Sequence, residues 1–130
     1  MQRMTKEQFE SLAGEVLTNI DISADAGDDH RIMLTTQTGR QIVIEHDQDC
    51  CEYVKIESVV GDPQSLIGKA IVRVNVDERP QGDPKPEYAD SWTWTIIELG
   101  VTGETVLLRW IGESNGYYSE SVDFKEIAGH

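Results

Sequence analysis

From residue 31 onward, apolar and polar residues alternate with a period of two, and this alternation constrains the fold more than any other feature. It predicts a hairpin over 31–46, strands over 53–60 and 70–77, a second hairpin over 92–111 and a last strand near 118–124. No helical segment of crossover length separates the later strands, so we expect antiparallel pairing.

The N-terminal segment has a helical periodicity instead. A capping-box pattern begins at Thr5, and three apolar residues then recur at helical spacing: Phe9, Leu12 and Val16. We therefore expect a helix over 5–14 that is longer than two turns. The acidic segment 21–30 is expected to be a loop.

One helix followed by antiparallel strands predicts an α+β fold, with the sheet forming a sandwich or an open barrel. The 130 residues are expected to form a single domain. Residues 1–30 form its helical and acidic segment, and residues 31–127 form its β-rich core. Residues 78–90 hold three of the four prolines and are expected to be an exposed loop.

The charge of the chain is strongly negative. Its 24 acidic residues against 11 basic ones give a net charge of −13. Such a field repels phosphate backbones, so we expect no direct binding of nucleic acid, and it favours a partner protein with a basic surface. No run of apolar residues is long enough to span a membrane, and the first residues lack the pattern of a signal peptide. These features indicate a cytoplasmic protein.

The densest cluster of reactive side chains is the HDQDCCE motif at 46–52. His46 and Cys50 are weak candidate metal ligands, because the two-residue gap between paired cysteine ligands is missing. Cys50 and Cys51 are expected to be reduced and unbridged, since a disulfide between adjacent cysteines is strained. The surrounding carboxylates disfavour a reactive thiolate. We therefore expect neither a metal nor a cofactor.

A second cluster follows Arg109 and concentrates tyrosines, an amide and carboxylates at a polar turn. Such loops suit binding, because tyrosine supplies contact area with few rotatable bonds. We expect segments 47–52 and 113–120 to lie near each other at one end of the sheet. The candidate binding residues are Asp49, Glu52, Arg109, Glu113, Asn115, Tyr117 and Tyr118.

Both clusters carry a resemblance to a known family. The HDQDCCE motif and the RWIGESNGYYSESVDF motif at 109–124 resemble a family found in bacteriophages and prophages, described only as a domain of unknown function. The resemblance covers residues 39–127, without the proline-rich loop, and leaves the N-terminal helix outside it. It implies a phage-encoded protein in the cytoplasm of an infected bacterium. It carries over no catalytic or binding residue.

Two functions from different classes stay open. The first is a non-enzymatic interaction protein that inhibits a host factor, with its acidic surface against a basic partner such as a nucleic-acid-binding groove. The net charge and the lack of a recognisable catalytic arrangement favour it. The second is a small-ligand binder or metal-assisted enzyme, which a pocket between the two motifs would favour. Its residues would be His46, Cys50, Glu52, Glu113 and Asn115. The sequence leaves a homo-oligomer open.

Overall fold

The computed structural model describes residues 2–23 and 30–127. The described chain is predominantly β, with its strands in two antiparallel sheets. The elements in chain order are β1 Gln2–Met4, α1 Lys6–Glu10, β2 Leu17–Ser23, β3 Arg31–Thr36, β4 Gln41–Glu45, β5 Tyr53–Val60, a 3-10 helix Pro63–Leu66, β6 Arg73–Pro80, β7 Ser91–Val101, β8 Glu104–Ser114 and β9 Asp123–Ile127.

The two sheets form an open sandwich around one hydrophobic core. The five-stranded sheet has the order β1-β9-β4-β3-β2, and the four-stranded sheet has the order β5-β8-β7-β6. Alternate residues of both sheets enter the same apolar cluster, for example Ile42 and Ile44 from β4 and Leu108 and Trp110 from β8. This period-two burial is the physical basis of the alternation in the sequence.

The predicted α+β class is wrong in its helical part, because α1 has five residues and not more than two turns. The capping box at Thr5 is present, with the Gln8 N–H donating to Thr5 Oγ1 and the Thr5 N–H donating to Gln8 Oε1. The chain leaves the helix at Ser11 and turns through Gly14, which has a φ of +97°. The Gly14 N–H donates to the Ile71 carbonyl oxygen and Val16 pairs with Ala70, and these long-range contacts override the helical periodicity.

The segment 21–30 was expected to be a loop, yet β2 extends to Ser23; residues 24–29 lie outside the described part. A register shift between Leu17 and Asn19 interrupts the alternation of β2, which explains why the strand is not visible in the sequence. The three-residue β1, which pairs with β9, also has too short a pattern to predict.

The two predicted hairpins are present. β3 pairs with β4, and β7 pairs with β8 through the turn at Thr102–Gly103. The strand at 53–60 is confirmed as β5. Two strands are shifted from the prediction: β6 spans Arg73–Pro80 and not 70–77, which shortens the proline-rich loop to 81–90, and the last strand spans Asp123–Ile127 and not 118–124.

Candidate functional site

Several strand ends meet at one end of the sandwich. In the four-stranded sheet, Tyr53 at the start of β5 pairs with Glu113 near the end of β8, and Glu113 pairs with Trp92 near the start of β7. Three connections surround this point: residues 46–52, 81–90 and 115–122, which we call the loop end. The first and third of these connections cross from one sheet to the other.

A buried carboxylate organises the first connection. The Glu52 side chain is fully buried. Its Oε2 accepts a hydrogen bond from the Asp49 N–H at 2.8 Å, and its Oε1 accepts one from the Cys50 N–H at 2.9 Å. The Gln48 side chain donates to the Glu52 carbonyl oxygen at 2.7 Å. The turn is therefore closed around one side chain.

These hydrogen bonds fix the charge of Glu52. Burial acts to raise the pKa of its carboxyl group, since a charge is poorly solvated inside a protein. The Cys50 N–H, the His46 ring and the Asp49 N–H together outweigh burial and lower the pKa of Glu52 from 4.5 to about 2. Glu52 is therefore an anion at neutral pH.

His46 joins the first connection to the third. Its Nε2 lies 2.7 Å from Glu52 Oε2, and its Nδ1 lies 2.8 Å from the carbonyl oxygen of Ser121. Both oxygens are hydrogen-bond acceptors, so the ring bridges the Glu52 carboxylate and the Ser121 carbonyl group. Only 4% of the His46 side chain is exposed. This enclosed pair holds the two connections together.

A second carboxylate organises the third connection. Glu120 is buried, and it accepts hydrogen bonds from the hydroxyls of Thr93 at 2.8 Å and Ser114 at 2.5 Å. The connection also packs directly on β8. A Cβ atom at Gly112 would lie 2.2 Å from the Glu120 carbonyl oxygen, so only glycine fits there.

Two indole groups hold the second connection. Trp92 Nε1 donates to the Gly82 carbonyl oxygen at 2.7 Å, and Trp94 Nε1 donates to the Pro84 carbonyl oxygen at 2.8 Å. These bonds fold residues 81–90 back onto the outer face of the four-stranded sheet. Each of the three connections is therefore anchored by side chains of the scaffold.

All four tyrosines of the chain lie at the loop end or at its border. Tyr88 and Tyr117 are 91% and 88% exposed, and Tyr53 at the start of β5 is 40% exposed. Tyr118 is half-buried. Asn115 Oδ1 accepts a hydrogen bond from the Tyr117 N–H at 3.1 Å, which fixes the turn that presents Tyr117. The tyrosines thus form a large contact surface on anchored loops.

The loop end is also acidic. Its one lysine, Lys85, stands against seven carboxyl groups: Asp47, Asp49, Glu52, Asp83, Glu87, Asp90 and Glu120. Four of these carboxylates are exposed: Asp49, Asp83, Glu87 and Asp90. Within residues 2–23 and 30–127, their side chains form no ion pair and no hydrogen bond. An unpaired carboxylate set of this kind attracts a basic surface.

The structure brings the predicted segments 47–52 and 113–120 together at one end of the sheet. It places six of the seven candidate binding residues at the loop end or at its border: Asp49, Glu52, Glu113, Asn115, Tyr117 and Tyr118. Glu52 lies beneath the others, buried and engaged by backbone donors. Sequence reasoning cannot separate Glu52 from Asp49, because burial is set by the sheets and not by the motif.

Arg109 lies apart from the other candidates, farther along β8. Its guanidinium stacks over the Trp94 ring at 4.9 Å and donates to the Ser58 hydroxyl at 2.8 Å. Sequence reasoning also missed Tyr88 and Glu120. The signal for Tyr88 was its place in a loop expected to be exposed, where a large aromatic residue is uncommon.

The expectation of two free thiols is wrong, because the structure pairs Cys50 with Cys51 in a disulfide. The two residues lie in the tight turn around Glu52, and this turn brings their sulfur atoms together. The disulfide also engages the sulfur of Cys50, a candidate metal ligand, and both ring nitrogens of the other candidate, His46, contact oxygen atoms.

Two general features of the described chain complete the picture. In residues 2–23 and 30–127, no three His, Cys, Asp or Glu side chains are grouped in a way that could hold a metal ion. The same residues include no helix with the length and apolar character needed to cross a membrane.

Comparison with known proteins gives one result. No curated protein and no solved structure matches the chain. A family model matches residues 10–124, which adds residues 10–38 and the proline-rich loop to the region expected from the two motifs. Because the match covers most of the chain, the protein belongs to the family described as a domain of unknown function, DUF7448.

Proposed function

We propose that the protein is a non-enzymatic interaction protein that binds a basic surface of a partner protein through the loop end. The observation that carries this proposal is the convergence of exposed tyrosines and unpaired carboxylates on one set of connections. Tyrosine supplies rigid contact area, and carboxylates supply attraction for Lys and Arg.

The anchoring of the loops supports the same function. A loop that is ordered before binding loses little conformational entropy when it meets its partner, so more of the contact energy appears as affinity. Glu52, Glu120 and the two indole groups of β7 supply this order without using the exposed side chains. The scaffold and the contact surface are thus separate sets of residues.

The partner and setting in this proposal follow from charge and from the resemblance of the two motifs to phage and prophage proteins. The protein is phage-encoded, acts in the bacterial cytoplasm, and inhibits a host factor by covering a basic surface such as a nucleic-acid-binding groove. The net charge of −13 supports a basic partner and disfavours direct contact with phosphate backbones.

The test compares two double variants of the full chain. Tyr88→Ala with Tyr117→Ala removes the most exposed aromatic residues of the loop end, and Val60→Ala with Val72→Ala removes exposed apolar residues elsewhere, at 49% and 50% exposure. Each is used to capture proteins from a bacterial lysate, and the captured protein is then purified and titrated calorimetrically at about 0.05 M and about 0.3 M salt.

We expect the unchanged protein and the valine variant to bind one protein with a basic surface, with affinity that falls as salt rises. The tyrosine variant should lose that binding while keeping its melting temperature. Equal binding by both variants, or affinity that does not depend on salt, would contradict the proposal.

A further inference from the structure

A second site lies on the outer face of the four-stranded sheet. A groove of about 260 Å³ runs between β5 and the proline-rich connection. Its apolar lining includes Trp94, Ile111 and Pro86, and its polar lining includes Lys55, Lys85 and Glu113. Trp94 and Ile111 are buried although they face away from the core, since the connection and its neighbours cover them.

The groove has fixed walls. Trp94 forms part of the groove and also holds the Pro84 carbonyl oxygen through its Nε1, so the wall formed by the connection is attached to the wall formed by the sheet. Pro84 and Pro86 further restrict the backbone there. A ligand would therefore enter a cavity whose shape exists before binding.

The groove carries unpaired charges of both signs, beside Glu57, which also lines it and pairs with Arg109. Every arginine and Lys125 form an ion pair with a carboxylate. In the described part of the chain, Lys55, Lys85 and Glu113 form no ion pair and no side-chain hydrogen bond. A surface that leaves both signs of charge unpaired beside an apolar floor is suited to a ligand that carries both signs.

The ammonium groups of the two lysines lie over aromatic rings. Lys55 Nζ lies 5.3 Å from the centre of the Tyr53 ring, and Lys85 Nζ lies 5.4 Å from the centre of the Trp92 ring. Tyr53 and Trp92 are the cross-strand neighbours of Glu113 on its two sides. The carboxylate thus lies between two lysines that are placed by ring faces rather than by anions.

We propose that this groove binds a small zwitterion, an α-amino acid with an apolar side chain. Its carboxylate would contact Lys55 and Lys85, its ammonium group would contact Glu113, and its side chain would lie against Ile111 and Trp94. The volume of the groove suits one such molecule. This site lies on the outer face of the sheet and shares residues 84–86 of the second connection, and Glu113 at its border, with the loop end.

The test measures the affinity of the full chain for L-leucine and L-phenylalanine by calorimetry, with two derivatives as controls. N-acetyl-L-leucine lacks the ammonium group, and L-leucinamide lacks the carboxylate. We expect at least one amino acid to bind, and both changes to weaken the binding of leucine by about tenfold or more, since each removes a charge-assisted contact.

Three single variants localise the binding. Lys85→Met and Glu113→Gln should each weaken binding about tenfold. Lys69→Met removes an exposed lysine outside the groove and should leave binding unchanged. Melting temperatures equal to that of the unchanged protein confirm that the variants are folded.

Three outcomes would overturn the proposal. The first is that neither L-leucine nor L-phenylalanine binds at about 10 mM. The second is binding of a derivative as tight as that of its parent, which would show a site for a simple anion or a simple cation. The third is equal binding by the groove variants and Lys69→Met, which would place the ligand elsewhere.

Discussion

The base and the rim of the loop end contain polar residues from the same two motifs but use them differently. At the base, Glu52, Glu120 and His46 are buried or enclosed, and their polar atoms contact donors or acceptors of the chain itself. At the rim, Tyr88 and Tyr117 are almost fully exposed. The comparison shows that a polar motif divides into residues that hold a loop and residues that the loop presents.

This division has an energetic consequence. A change at the base leaves a buried partner without its counterpart, whereas a change at the rim removes a side chain that water already surrounds. Stability should therefore depend on the base, and binding should depend on the rim. Substitutions at the base and at the rim should therefore have different effects.

The largest expected effect is that of Glu52→Gln. The change replaces one carboxylate oxygen by an amide NH2 group, which cannot accept the hydrogen bonds of the buried turn, and should lower the free energy of unfolding measured in urea by about 3 kcal/mol. Glu57→Gln is the matched control on the same strand, because Glu57 is 44% exposed and pairs with Arg109 at the surface. It should cost less than about 1 kcal/mol. Equal losses would show that the base does not hold the loops.

The second prediction concerns acid. Because the pKa of Glu52 is lowered from 4.5 to about 2 on folding, the unfolded chain binds more protons between these values. The stability from Glu52 is therefore complete above pH 4.5 and decreases as the pH falls toward 2. Urea unfolding from pH 7 downward should show the difference between the unchanged protein and Glu52→Gln shrinking in that window. A difference in the free energy of unfolding that does not change with pH would contradict the lowered pKa of Glu52.

The smallest expected effect is that of Tyr117→Ala on stability. Because the ring is exposed, the free energy of unfolding should change by less than about 0.5 kcal/mol, while affinity for the partner should fall. The control Phe124→Ala removes a buried ring and should cost about 3–5 kcal/mol. A loss of 2 kcal/mol or more for Tyr117→Ala would make the second motif structural.

The part of the fold that the sequence predicts is the part in which local pattern and tertiary pairing agree. The hairpins β3–β4 and β7–β8 pair in a continuous register, and both are present. β2 is hidden by the irregularity between Leu17 and Asn19, and the helix ends early because the residues that follow it bond to residues 70–71. In both places bonding to a distant part of the chain outweighs the local signal.

The sequence predicts where the candidate site lies, but not which of its residues are buried and which are exposed. The two motifs indicated one end of the sheet, and the contact between His46 and Ser121 places them together. Nothing in the motifs distinguishes the buried Glu52 from the exposed Asp49, because both are carboxylates in one polar turn. Their surroundings come from two sheets that only long-range pairing assembles.

The position of β9 has a consequence for the order in which the protein is made. β9 lies between β1 and β4, so the first strand of the chain joins its sheet through the last one. A chain emerging from the ribosome has β1 through β8 before it has β9, and His46 lacks the Ser121 carbonyl until then. The loop end is thus completed late in synthesis, and under the proposed function an unfinished chain should bind the partner less well than a finished one.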